Sequence, residues 1–163
     1  MGMASDYSLP ATIATMLTPD LHADILRFMK SHRWAVEATA TPDARPQAAL
    51  VGFAVTPQLE VVFDTLTSTR KAANLRENPR VALVIGGWVD GEMRTLQYEG
   101  VADFPEGAEL ERLQADYFDA FPDGPDRLTW PGITYVRISP TWMRLSDFST
   151  VPPTIVDVTM ANH

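Results

Sequence analysis

The segment TSTRKAANLRENP, residues 67–79, predicts a short helix whose charges oppose the helix dipole. Its hydroxyl residues, among them Thr69, can cap free backbone N–H groups, and the Asn-Pro step at its end stops the helix. Arg70 and Lys71 nevertheless fall in the first turn and Glu77 in the last. The dipole favours the reverse arrangement by about 0.3–1 kcal/mol per charge. Two cations at the positive end of a helix therefore need an explanation.

Two interpretations of this pair follow from helix chemistry. In the first, Arg70 and Lys71 lie in water, where screening makes the mismatch cheap, with Asp64 or Glu77 as partners. In the second, free N–H groups, the dipole, a hydroxyl cap and two cations converge on one phosphate. The preceding predicted strand ends at Thr65, so the anion would lie where a strand leads into a helix. On helix chemistry alone, the solvated pair is the more common arrangement.

Other motifs for catalysis or metal binding find no support in the sequence. The glycines of GGWVDGE lack the spacing of a dinucleotide fingerprint or a phosphate loop and predict a hairpin turn instead. No Gly-x-Ser-x-Gly elbow of a hydrolase is present. His22 and His32 lack the carboxylate spacing of a metal site, and we expect both on the surface. The chain has no cysteine, which excludes disulfides, thiolate metal sites and cysteine nucleophiles.

Composition and charge limit the classes of partner. The 163 residues are enough for one domain with a substantial core. A net charge of −8 argues against nucleic acid or an anionic membrane as a partner. The longest apolar run is too short to span a bilayer, and the N-terminus lacks the pattern of a secretory signal. We therefore expect a cytoplasmic protein.

The apolar pattern predicts a mainly β chain with flanking helices. Amphipathic helices are expected after Pro19 and after Pro105, besides the short one from Thr69. The expected strands cover residues 34–39, 48–55, 59–65, 81–85 and 93–104, followed by ITYVRISP and WMRLSD. Short connections and few helices argue against a βαβ architecture and favour a small antiparallel barrel. We expect one domain over residues 1–163, with 1–18 and 150–163 as peripheral tails.

The segments FDTLTSTRKAANLRENPRVALVI and RTLQYEGVA together resemble the pyridoxamine 5'-phosphate oxidase-like family of FMN-binding split barrels. In that family an aromatic-rich strand ends in Phe-x-Thr and Ser/Thr-Arg-Lys opens a helix. Asn-Pro-Arg-Val with a strand comes next, and a further strand ends in Glu-Gly. The resemblance spans about residues 35–104. It implies a six-stranded antiparallel split β-barrel (α+β) with FMN at a homodimer interface, and it makes anion binding the favoured interpretation of Arg70 and Lys71.

The resemblance also implies where FMN would bind. The family's phosphate-binding Arg-Lys pair falls on Arg70 and Lys71, with the adjoining hydroxyl on Thr69. The end of the preceding strand falls on Asp64 and Thr65. The remaining positions belong to the strand along the isoalloxazine ring and to an Arg-Gln pair: Gln47, Ala48, Ala49, Leu50, Val51, Arg94 and Thr95. In the family, some of these contacts come from the second subunit.

Departures from the family pattern bear on the reaction. Thr95 stands where the pyridoxamine oxidases have Gln, Gly52 where they have Lys, and Asp64 where they have Tyr, while their C-terminal Arg-Leu-x-Pro ending is not found. We therefore expect an FMN-dependent oxidoreductase acting on an unidentified small molecule rather than on pyridoxamine phosphate. No catalytic proton donor can be named. A deazaflavin-dependent reductase on the same fold, or a flavin- or haem-binding protein without turnover, are the alternatives.

Overall fold

The computed structural model describes residues 11–160, which contain nine β-strands, three α-helices and one 3₁₀-helix. Their order and bounds are β1 (Thr12–Thr15), α1 (Pro19–Lys30), β2 (Trp34–Ala40), β3 (Pro46–Gly52), β4 (Ala54–Val55), β5 (Val61–Leu66), α2 (Arg70–Glu77), β6 (Arg80–Ile85), β7 (Arg94–Asp103), α3 (Gly107–Ala120), the 3₁₀-helix (Gly124–Thr129), β8 (Ile133–Asp147) and β9 (Thr154–Thr159). No helix in this part of the chain is long and apolar enough to cross a lipid bilayer.

All nine strands belong to one open sheet. Its main order is β1-β9-β8-β7-β6-β2-β3, and β5 joins through the first half of β8 while β4 pairs with β5. β3 therefore lies at an edge: it approaches β5 but forms no ladder with it. We call the opening between β3 and β5 the split. The barrel is left open there, next to the end of the strand that leads into α2.

The expectation of a mainly β fold with flanking helices is confirmed, but the expected six strands are wrong. The segments ITYVRISP and WMRLSD form the single strand β8, because a bulge at Thr141 of β8, opposite Glu99 and Gly100 of β7, lets the strand continue past Pro140. The expected strand 48–55 is broken before Ala54 into β3 and β4.

Two further strands lie in the segments expected to be peripheral tails. β1 pairs in parallel with β9, and β9 pairs with the second half of β8. These strands are hard to predict because β1 has only four residues and prolines precede the β-branched run of β9. The pairing makes both segments part of the sheet.

Strand β5 separates two apolar cores. Val61 and Phe63 point into the larger core inside the sheet, whereas Val62 points into a smaller core under α3. Because side chains alternate along a strand, Thr65 shares the inner side and Asp64 the α3 side. This alternation decides which residues near α2 can act together.

The connection between β6 and β7 is the predicted turn GGWVDGE, and hydrogen bonds through Glu92 and His32 link it to the end of α1. The carboxylate of Glu92 accepts a hydrogen bond from the Gly87 N–H at 2.5 Å and pairs with Nε2 of His32. The other ring nitrogen of His32 lies 2.8 Å from the Phe28 carbonyl. The expectation of an exposed His32 is wrong: only 13% of its side chain is accessible, because the turn folds over it.

We expect Gly100→Ala to destabilise the fold strongly. An added Cβ would lie 2.5 Å from Ile138 Cγ2 and 2.5 Å from the Ser139 carbonyl oxygen, and a backbone atom cannot move aside cheaply. Overpacking of this kind costs about 1–3 kcal/mol. Gly52→Ala is the matched control, since its closest neighbour is the edge of the Phe121 ring at 3.1 Å, which can shift. Thermal melts should show the larger loss for Gly100→Ala; equal melting temperatures would contradict the packing at the bulge.

Candidate functional site

Helix α2 begins beside the split, directly after β5. Thr69 is its N-cap, and Thr69 Oγ1 accepts a hydrogen bond from the Ala72 N–H at 3.3 Å. The hydroxyl of Thr65, on the inner side of β5, lies 3.1 Å from Thr69 Oγ1. The predicted helix and its cap are therefore confirmed. Two hydroxyl groups lie together at the positive end of the helix.

Arg70 and Lys71 form the first turn of α2, and neither makes direct contact with a carboxylate in the described chain. Arg70 is exposed and Lys71 half-buried. Within residues 11–160 neither side chain forms an ion pair, and the partners considered from the sequence, Asp64 and Glu77, do not contact them. Both cations are thus available to an anion from outside the chain.

Asp64 lies on the opposite side of β5, in a separate cluster. Its carboxylate accepts a hydrogen bond from Nε of Arg127 at 2.6 Å, and Arg127 also pairs with Asp123 at 2.6 Å. The Tyr117 hydroxyl completes the cluster at 3.3 Å. A neighbouring cleft of about 410 Å³ is lined by these groups together with Trp34 and Gly52. The structure thus groups Thr65 with Thr69 and separates Asp64 from them.

The predicted ring-binding strand, residues 47–51, lies within β3 with one free edge. Among residues 11–160, β3 pairs only with β2, and in an antiparallel pair alternate residues direct their N–H and C=O groups away from the partner. Those groups face the split without a strand partner in the described chain. Gln47, Ala49 and Val51 point inward, whereas Ala48 and Leu50 are exposed on the outer face. A flat ligand at the split could therefore hydrogen-bond to the strand along its length.

Asn74 fastens α2 to the strands beside the split. Its buried amide donates to Thr39 Oγ1 on β2 at 3.0 Å and to Gln47 Oε1 on β3 at 3.2 Å. Asn74 was not among the predicted site residues. Its spacing in the sequence could have identified it as a residue that faces the strands, because Asn74 follows Lys71 by one helical turn and precedes the buried Leu75.

Glu37 is a buried carboxylic acid on the inward face of β2, two residues before the Thr39 that Asn74 contacts, and it was not predicted as a site residue. It is 1% exposed, and its Oε1 has no hydrogen-bond partner among the described residues. Burial raises the pKa of Glu37 to about 7, and the charge of Lys71 opposes that rise. The signal in the sequence is the alternation of WAVEATA, which places this acid on the inward face of β2.

Arg94 and Thr95 lie at the start of β7, away from the cations at the start of α2. Arg94 Nη2 donates to Asp24 of α1 at 2.6 Å, and its guanidinium stacks on the ring of Phe28. Thr95 is half-buried. No hydrogen bond or ion pair within residues 11–160 joins either residue to Arg70 or Lys71. The predicted site residues therefore fall into three places: the start of α2 with β3, the Asp64–Arg127 cluster, and the start of β7.

The groups at the split suit a flat ligand that carries a phosphate. Two cations, two hydroxyls and the free N–H groups of a helix N-terminus are the donor set that binds phosphate in many proteins. The free edge of β3 offers alternating donors and acceptors beside it. The residues present therefore fit a phosphate-bearing planar cofactor such as FMN.

Comparisons with known proteins agree on one family. A family model for pyridoxamine 5'-phosphate oxidase matches residues 21–147. A pyridoxamine 5'-phosphate oxidase homolog from Saccharomyces cerevisiae is 25% identical over 99 residues, which cover 54% of this chain and 50% of the yeast protein. The chain therefore spans about half the length of that curated relative.

Two solved structures show the same fold. A haem-binding protein from Mycobacterium smegmatis has a TM-score of 0.72 at 19% identity, covering 88% of this chain and 60% of that one. A pyridoxamine 5'-phosphate oxidase-related, FMN-binding protein from Nostoc punctiforme has a TM-score of 0.64 at 15% identity, with coverage of 85% and 89%. These likenesses establish a split-barrel fold like that of the oxidases. Since the family model covers most of its length, the chain belongs to the pyridoxamine 5'-phosphate oxidase family.

Proposed function

We propose that this protein binds FMN and catalyses redox chemistry by hydride transfer on a small molecule. The observation that carries the proposal is the start of α2, where two unneutralised cations adjoin two hydroxyl groups beside the free edge of β3. Family membership supports the choice of FMN as the phosphorylated ligand.

Each part of the site has a role in this proposal. Arg70, Lys71 and the free N–H groups of α2 would hold the phosphate, and Thr65 and Thr69 would hydrogen-bond the phosphate or the ribityl chain. The backbone of residues 47–51 would hold and orient the ring edge. FMN, when bound, supplies the hydride-accepting chemistry, while the protein contributes binding, orientation and electrostatics.

We further propose that the active form is a homodimer, formed through the outer face of the sheet. Two apolar rows cross β3, β2 and β6 on that face, and no described part of the chain covers them. Leu50 and Val84 are the largest of these side chains, with 61% and 41% exposed. The rows are Leu50, Val36 and Val84, and Ala48, Ala38 and Ala82.

An interface at these rows would place a second protomer next to β3. An exposed apolar patch on a sheet is typical of an interaction surface. Leu50 belongs to both the patch and the proposed ring-binding strand. A partner subunit could therefore add contacts to FMN, and Arg94 and Thr95 are the residues that would come from it. The haem alternative has less support, because both histidines of the described chain lie in or directly after α1, and the ring of His32 is already bound on both nitrogens.

Arg70→Ala and Lys71→Ala should each weaken FMN binding about tenfold or more. Loss of a hydrogen bond to a charged group costs about 1.5–3 kcal/mol. Riboflavin, which lacks the phosphate, should bind wild type and variants alike. The Arg70→Ala apo-protein should keep its stability, because removing an exposed cation from a helix N-terminus relieves the dipole mismatch. Paired fluorescence titrations of both flavins and thermal melts of the apo-proteins measure these effects. Equal losses for FMN and riboflavin would show that the pair does not bind phosphate.

Leu50→Asp and Val84→Asp should convert the dimer to monomers and weaken FMN binding, since each would bury a charge in the interface. Val151→Asp is the matched control, as Val151 is 98% exposed in the loop before β9. Sedimentation velocity gives the mass, and flavin titration gives the affinity. A wild-type protein that is monomeric with FMN bound would contradict the proposed dimer.

The protein saturated with FMN should show the absorption bands of an oxidised flavin and lose them on reduction by NADH or NADPH. Visible spectroscopy of protein mixed with FMN, a deazaflavin coenzyme or haem, each in turn, compares the three cofactors directly. FMN should bind most tightly. Tight binding of FMN without any reduction by NADH or NADPH would indicate a flavin-binding protein that is not an oxidoreductase.

A further inference from the structure

Glu37 is the one buried carboxylic acid of β2, and no group among residues 11–160 neutralises it by direct contact. Its cross-strand neighbours are Ala49 on β3 and Leu83 on β6. Neither can pair with a carboxylate, and Oε1 has no hydrogen-bond partner in residues 11–160. An unpartnered carboxylate inside a protein costs free energy unless it binds a proton or meets a cation.

Lys71 is the cation on the side of α2 that packs against β2: it precedes Asn74 by one helical turn, and Asn74 contacts Thr39, two residues from Glu37 on the same face of β2. It lies on the same face of α2 as Asn74 and Leu75, three and four residues later, and both of those are buried against the strands. Its charge is the one that acts on the Glu37 carboxyl, although the two groups are too far apart for a direct ion pair. Lys71 is thus placed between a buried acid and the open end of α2.

We propose that Glu37 is a positioning residue that acts through Lys71: when a phosphate group binds at the start of α2, Glu37 takes up one proton. This inference rests on the proposed FMN site. It adds that the affinity of that site depends on pH through a residue that need not touch the ligand.

The coupling follows from electrostatics. The ammonium of Lys71 is shared between an ionised Glu37 and a bound phosphate, and the two anions raise each other's free energy across a poorly solvated space. A proton on Glu37 removes that repulsion and frees the charge of Lys71 for the phosphate. Burial already holds the pKa of Glu37 near 7, so a nearby phosphate moves proton uptake into the range just above neutrality.

The other charged groups of the packed elements do not take part. Arg70, Arg76 and Glu77 are exposed on the outer side of α2. β3 contributes no ionisable side chain, and the one on β6, Arg80, is exposed at its start. The linkage therefore concerns Glu37, Lys71 and the ligand.

The test is the pH dependence of FMN affinity in wild type and Glu37→Gln. Wild-type affinity should fall about three- to tenfold between about pH 7 and pH 9, since a one-proton linkage limits the change to about tenfold per pH unit. Glu37→Gln should hold its affinity level over that range. Glu77→Gln is the matched control on α2 and should follow the wild-type profile. The phosphate of FMN titrates near pH 6, below this window.

Two further measurements test the proton uptake on binding and the raised pKa of Glu37. Calorimetry of the wild type at about pH 8, in buffers of different ionisation enthalpy, should show net proton uptake with FMN and none with riboflavin. Melts of the apo-proteins test the residue itself. The pKa of Glu37 is raised on folding, so its contribution to stability is present at low pH and is lost as pH rises through about 7. The wild-type protein should lose stability between about pH 4.5 and pH 7, and Glu37→Gln should not.

Each possible outcome either supports or overturns the proposed role of Glu37. A pH-dependent affinity that vanishes in Glu37→Gln, with proton uptake in the wild type, supports the proposal. The same pH profile in both proteins, or binding of FMN by the wild type without proton uptake, overturns the role of Glu37 and leaves the FMN site standing. Failure of wild type and variants alike to bind FMN at any pH overturns the FMN site and this proposal with it.

Discussion

Asn74 joins α2 to β2 and β3 with two hydrogen bonds, and the arrangement of the site depends on this contact. It holds the helix against the sheet next to the split, where β3 keeps a free edge and β5 leads into the N-cap Thr69. If β3 and β5 were paired, the backbone groups of the split would be used up within the sheet. The open sheet leaves them for a ligand, and the helix brings positive charge to the same place.

The electrostatics of this region differ from those of the rest of the chain. With 21 acidic and 13 basic residues, cations are scarce, and most arginines are paired. Arg137 contacts Glu109 and Asp103, both at 2.6 Å, and Arg144 contacts Asp157 at 2.7 Å. Arg70 and Lys71 have no such partner in the described residues, and they oppose the dipole of their helix. Departures from local rules that gather in one place are typical of functional sites.

Much of the α2 region can be predicted from residue types alone. The cap at Thr69, the helix over residues 70–77 and its end before Pro79 follow from local chemistry, and they agree with the structure. The alternation along β5 also suffices to separate Asp64 from Thr65. The partner of Asp64 could not be predicted, because Arg127 is 63 residues away in sequence and is brought back by α3 and the 3₁₀-helix.

The missed features share a physical cause. The contacts of Asn74 join positions 35 and 27 residues apart, which no local pattern contains. The continuity of β8 through Pro140 depends on a bulge at Thr141 that shifts its register against β7, and the pairing of β1 with β9 joins the two ends of the described chain. Glu37 had a usable signal in the alternation of β2. Its coupling to Lys71 could not be predicted, because the two residues are 34 positions apart and only the packing of α2 on β2 brings the charge of Lys71 to act on it.

The central claim is that the start of α2 binds the phosphate of FMN, and phosphorus NMR of FMN titrated with the protein tests it most directly. The account predicts that the phosphorus resonance shifts on binding and that the bound phosphate stays dianionic to lower pH than in free FMN, because two cations and a helix N-terminus stabilise the dianion. Both effects should be lost in the Arg70→Ala/Lys71→Ala double variant. A bound flavin whose phosphorus resonance titrates as it does in free solution would contradict the account.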